Sequence, residues 1–132
     1  VKLLRTVLYV QAAVWTVSGL GLAIAPHYLI HEVFENPFIR DWALIRTLGV
    51  VSIGMAMLMV LVAQRIEDVW WWAWAFILTT AGVATICGVH AVLGDLSGRS
   101  QLLYWIVATV NVVLTAGLLL GMGRAAQEKP FA

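Results

Sequence analysis

Four long apolar runs dominate this chain: Thr6–Ala25, Trp42–Ala63, Val69–Leu93 and Leu102–Met122. Each is close to or beyond the ~20 residues an α-helix needs to cross a hydrocarbon core of ~30 Å. Composition agrees with that reading. Charged residues make up 11% of the chain, against about 25% in an ordinary soluble domain. The mean hydropathy is +0.92. The expected fold is therefore all-α: an integral membrane, antiparallel four-helix transmembrane bundle, running up-down-up-down, with a short interfacial helix on its outer side. Residues 1–132 form a single transmembrane domain in this reading, and the first run is a retained span rather than a cleaved signal. It is longer than a signal-peptide core and lacks a separate small-x-small cleavage site.

Orientation follows the distribution of Lys and Arg in the connections. Lys2, Arg5, Arg65, Arg124 and Lys129 fall on one side; Arg40 and Arg99 fall on the other, with Arg46 just inside the second span. Both termini are expected in the cytoplasm, in a bacterial inner (plasma) membrane, with loops 26–41 and 94–101 outside. The net charge of +1 and the lack of a dense basic stripe argue against a nucleic-acid partner. The single cysteine, Cys87, excludes an internal disulfide or dithiol relay.

Pro26 is a natural stop for the first helix, since it lacks an N–H and clashes with the preceding turn. His27–Glu35 then separates into two arcs on a helical wheel. His27, His31, Glu32 and Glu35 share one; Leu29, Ile30, Val33 and Phe34 share the other. That pattern predicts a short amphipathic helix in the interface, broken at Asn36-Pro37, with Phe38 and Ile39 returning the chain to the membrane. Arg46, Gly49, Ser52 and Ala56 lie toward one side of the second span, which is assigned to the bundle interior. The connection Gln64–Asp68 is short enough to make the second and third spans antiparallel neighbours. Gly94–Gln101 reads as a polar loop, and the tail from Gly123 to Ala132 as frayed and exposed.

Aromatic residues cluster at the expected interfaces. Trp42, Trp70, Trp71, Trp72, Trp74, Tyr104 and Trp105 are candidate anchors, their rings in hydrocarbon and their polar edges toward headgroups. A contact with a pigment or haem is the alternative use of the tryptophans. Gln11 and Asn111, deep in the first and fourth spans, are candidates for hydrogen bonds across the bundle, which average ~0.6 kcal/mol where measured.

All three histidines gather on the outer side. There His27, His31, His90, Glu35 and Arg46 form the candidate ligand pocket, because an ionisable group at membrane depth usually faces the interior and has a partner. Three uses are open: Arg46 snorkelling or pairing with a nearby carboxylate while His90 caps backbone; a polar pocket in which Arg46 and His90 hold a quinone, lipid or other oxygen-rich head; or a metal or haem site built on the i, i+4 pair His27 and His31 with His90 or Glu35. No metal is assigned on this pattern. Histidine pairs for a two-haem cytochrome, a Cys-x-x-Cys motif and a Ser-His-Asp arrangement are all absent from the sequence. Four spans are few for a transporter of inverted repeats.

The first span ends in Gly19-Leu20-Gly21-Leu22-Ala23-Ile24-Ala25-Pro26, and the second begins with Arg46-Thr47-Leu48-Gly49-Val50. In these stretches and in its layout the chain resembles the small bacterial four-span proteins of the DoxX-like type. The resemblance implies a four-helix bundle and a link to quinone-dependent or membrane redox complexes. Two functions are carried forward. The first is a non-catalytic accessory or structural subunit of a larger membrane redox or energy-transducing complex, whose partners are the lipid bilayer and other membrane subunits or further copies of the chain. The second is a stand-alone small membrane enzyme or binding protein that holds a quinone-like or lipid ligand near Arg46 and His90.

Overall fold

The computed structural model describes residues 1–36, 39–95 and 97–128. The expected break at Pro37, the return at Phe38, Lys129 of the charge count and the last four residues of the tail lie outside that set. The elements, in order, are α1 (Lys2–Ile24), a π-helical turn (Tyr28–Val33), α2 (Trp42–Gln64), α3 (Ile66–Val69), a 3-10 turn (Trp70–Trp72), α4 (Ala73–Leu93) and α5 (Gly98–Glu128). No strand occurs among the described residues. Four helical stretches are long and apolar enough to cross a membrane: Lys2–Ile24, Trp42–Gln64, Ile66–Leu93 and Gly98–Glu128.

Helix ends follow local chemistry. Ala25, disfavoured from helical geometry by the proline after it, has φ −132° and ψ 58° and ends α1. The Asp41 carboxylate accepts a 3.1 Å bond from the Leu44 amide and caps α2. The segment after Pro26 departs from an ordinary α-helix, because the Phe34 amide donates to Leu29 O, five residues back. Its burial still separates as the wheel predicts: Ile30 is buried and His27, Glu32 and Glu35 are exposed. The fourth long helix runs past both ends of its apolar run. Gly98–Gln101 is helical rather than loop, and Gly123–Glu128 is helical rather than frayed, with Ala125 buried.

Two helix pairs make the most extensive contacts, α1 with α2 and α4 with α5, and α1 with α5 joins them. Along α1–α2, Arg5 donates to Ala63 O and Arg46 to Ala23 O, with Gly19 and Gly49 in contact between them. A Cβ on Gly19 would lie 2.7 Å from Gly49 O, so the two backbones touch only because both residues are glycine. Gly121 is packed against Leu4 and Gly117 against Val7.

The second and third spans are not the close neighbours their short connection suggests. Contact of α2 with the third span centres on α3 and the 3-10 turn, and α2 and α4 share no extensive face. A short turn forces two helix ends together but not their lengths. The core accordingly sits at one end. It comprises Leu4, Leu8 and Ala12 of α1; Ala56, Met59, Val62 and Ala63 of α2; Ile66, Trp70, Ala73, Phe76 and Ile77; and Leu118, Met122 and Ala125 of α5. The end of the molecule holding this core is called here the termini end, and the other the loop end.

Candidate functional site

The loop end holds all three histidines, His27, His31 and His90. The His27 and His31 rings lie 4.8 Å apart, and the Trp42 ring lies 5.3 Å from His27 and 4.9 Å from His31, so the three form one aromatic cluster. The π-helical turn supplies the two imidazoles and the first turn of α2 supplies the indole. His31 Nε2 donates to Ile39 O at 3.1 Å, which fixes its ring across the loop.

Arg46 lies one helical turn beyond Trp42 on the same face of α2. Its guanidinium reaches Ala23 O at 3.5 Å, near the C-terminal end of α1. Gly49 and Ala56 of the face that Arg46 shares are buried, as expected, but Arg46 itself is exposed. Among the described residues no carboxylate pairs with it.

Glu35 makes a 3.3 Å ion pair with Arg99 of α5. Its backbone has φ 52°, the left-handed region that costs a residue with a Cβ about 1–2 kcal/mol. Glu35 also borders a cavity of about 330 Å³ with His31, Asn36 and Arg40. Asn36 is buried and the other polar residues reach the surface or its edge.

His90 belongs to the other helix pair. Its ring stacks on Tyr104 of α5 at 5.8 Å, and Nδ1 donates to Ile86 O at 2.9 Å. Arg46 and His90 thus each find their partners within their own pair; the rings that cluster are His27, His31 and Trp42, with Arg46 one turn further along α2. Among the described residues no group of three His, Cys, Asp or Glu side chains is placed to hold a metal ion.

Of the expected anchors, Trp71, Trp72, Trp74 and Trp105 are exposed, and Trp42 and Tyr104 are half-buried. Trp70 differs: it is 4% exposed and belongs to the core. The helix turn that points three tryptophans outward must send one inward, and the apolar runs do not say which.

Polar groups also sit midway along the helices. Gln11 is 0% exposed, and neither its carbonyl oxygen nor its amide nitrogen has a hydrogen-bond partner. Asn111 Nδ2 donates to Val107 O within its own helix, and its Oδ1 is unpartnered. The expected amide bonds across the bundle are therefore not made. A contact that was not anticipated links α5 to α4: the Thr115 and Thr80 hydroxyl oxygens lie 2.8 Å apart, and the single Thr115 proton is shared between Thr80 Oγ1 and Asn111 O at 2.7 Å. Hydroxyls inside long apolar runs were the available signal, but pairing them requires the helix register, which the sequence does not state.

Comparisons with protein-family models, with curated proteins and with solved structures return no match.

Proposed function

We propose that this chain is an integral membrane protein of the bacterial inner membrane, its four long helices antiparallel and up-down-up-down, and that it serves as a non-catalytic accessory subunit of a larger membrane complex. The π-helical turn would then lie in the outer interface and both termini in the cytoplasm. The order of contacts along α1–α2 supports opposed helices: Arg5 meets Ala63 at one end and Arg46 meets Ala23 at the other.

The observation that carries the accessory reading is how little of each span the chain covers by itself. Only 22% of the apolar window of each of the four spans is buried. Gly82 and Gly88 on α4 and Gly54 on α2 stand in open space, where a Cβ would meet nothing within 4 Å. Small residues exposed on a span leave room for another helix to approach closely, and close packing, not a hydrophobic force, holds helices together in lipid. The redox or energy-transducing character of the complex rests on the DoxX-like resemblance. Two residues of that resemblance, Gly19 and Gly49, are a helix-packing device of α1 and α2.

Purification of the tagged chain from its native membrane in mild detergent, with mass spectrometry of co-purifying proteins, tests this reading. Stoichiometric partner subunits are expected. A lone chain or homo-oligomer contradicts it.

A second reading, a stand-alone binding protein for a quinone-like or lipid ligand, is favoured by the loop-end cavity and by the cluster of His27, His31, Trp42 and Arg46. Its site would be that cluster rather than a pocket between Arg46 and His90.

A further inference from the structure

Arg46 carries a full positive charge close to the loop end of a helix long and apolar enough to cross a membrane. Among the described residues its one polar contact is the long 3.5 Å bond to the Ala23 carbonyl, and no carboxylate neutralises it. Asp41, the acid nearest to it on α2, is turned to the Leu44 amide as a helix cap. A guanidinium in this position is costly without an anion, and it is the side chain best suited to a phosphate, offering parallel N–H donors in a fixed plane.

The surroundings fit a lipid headgroup. The Trp42 indole lies one turn toward the loop from Arg46, half-buried between the two imidazoles. An indole at that depth has its ring in hydrocarbon and its N–H toward headgroups. His27 is exposed and held against Trp42, one turn beyond the Ala23 carbonyl that Arg46 reaches, which puts its ring on the loop side of the guanidinium. Val50, an exposed apolar residue one turn further along α2 and on the side of Arg46, continues from the cluster where an acyl chain would lie.

From this juxtaposition we propose that Arg46, Trp42 and His27 form a binding site for the phosphate headgroup of an anionic phospholipid in the leaflet at the loop end. The proposal rests on the membrane-spanning reading and deepens the lipid-ligand alternative. It is compatible with the accessory role, because a lipid held at Arg46 would travel with the chain into a larger assembly. The anionic class follows from the charge count at Arg46: a zwitterionic lipid brings its own cation to the phosphate, whereas an anionic one leaves the charge for the guanidinium. The phosphate chemistry alone would also admit free inorganic phosphate, and acyl chains on the apolar face of α2 select the lipid.

The test uses the full chain purified in a neutral detergent. Its thermal unfolding midpoint is followed during titration with short-chain phosphatidylglycerol, short-chain phosphatidylcholine and inorganic phosphate. Phosphatidylglycerol is expected to raise the midpoint saturably, as any ligand that binds only the folded state must, and the other two are not. Arg46→Gln is expected to abolish the response. Arg46→Lys, which keeps the charge but not the planar fork, should shift the half-saturating concentration upward by about tenfold, a loss of about 1.4 kcal/mol. His27→Ala, at an exposed position, should weaken binding less than either.

Equal responses to phosphatidylglycerol and phosphatidylcholine, no response to either, or an unchanged response in Arg46→Gln would overturn the proposal. An equal response to inorganic phosphate would assign the site to the free ion and overturn the lipid. If Arg46→Gln does not fold, Arg46→Lys and His27→Ala carry the decision, and wild-type saturation curves from both would overturn it. Recovery of the chain in the aqueous fraction without detergent would instead remove the membrane reading on which the site rests, a failure distinct from a silent titration.

Discussion

The termini end and the loop end of this bundle are built by different rules. At the termini end all four long helices contribute to one core, and Leu4, Leu8, Met59, Ile66, Phe76 and Leu118 are almost wholly shielded. At the loop end the close helix contacts fall within each pair, and the exposed ion pair of Glu35 with Arg99 ties the connection after α1 to α5. Gly19 packs on Gly49 within one pair, and Gln101 Nε2 donates to Ala91 O at 2.9 Å within the other. All three histidines lie where shared packing is absent, whereas the termini end adds its own ion pairs to its core, Val1 with Glu128 and Arg5 with Glu67. The lesson is a division of labour along the helices: apolar shape holds the molecule together at one end and leaves the other end free to meet something else.

Breaking the close contact within a pair should have the largest effect. Gly19→Leu would drive a side chain into the Gly49 backbone, where no flexible group can yield. The loss should exceed the ~1–3 kcal/mol typical of overpacking, read as loss of folded protein in a detergent-denaturation titration. Truncation in the shared core comes next. Phe76→Ala leaves a cavity where four helices meet and should cost about 3–5 kcal/mol in the same titration.

Midway between the two ends the sign reverses. Gln11→Leu keeps the volume and removes two buried polar atoms that have no partner, so it should stabilise the protein by about 1–3 kcal/mol. A destabilised variant would mean that the Gln11 amide is bonded in the membrane. The Thr80–Thr115 bond should be weaker than either packing term. Thr115→Val is expected to cost ~0.6 kcal/mol, the mean for hydrogen bonds between membrane helices. At the loop surface, Arg99→Ala should change stability by less than about 1 kcal/mol, because its pair with Glu35 is exposed on both sides.

The legible part of this structure is whatever depends on long-range composition. Span positions follow from apolar runs, and the stop at Pro26 and the burial pattern of His27–Glu35 follow from local rules. What depends on register was not legible. The apolar runs treat Trp70 like Trp71 and Trp72, yet only Trp70 turns into the core. Gln11 and Asn111 are each expected to bond across the bundle, whereas the contact between helices is made by Thr80 and Thr115. Counting residues along each helix gives Arg46 and His90 a similar depth, yet each finds its partners within its own helix pair. Depth follows from counting residues along one helix; proximity needs the azimuth of two helices and the angle between them. The tail was misjudged for a related reason, since α5 continues past its apolar run on the strength of Gly121, Met122 and Ala125 packing at the core.

The most direct test of the two-ended account is a pair of spin-label distances between α2 and α4 in lipid nanodiscs, in a Cys87→Ser background. One pair of labels would replace Leu61 and Ala75 at the termini end, and the other Leu48 and Val89 at the loop end. The account predicts a longer separation for the loop-end pair, because α2 and α4 share a core only near the termini. Equal separations at both ends would mean that the two helices pack along their whole length, and would contradict it.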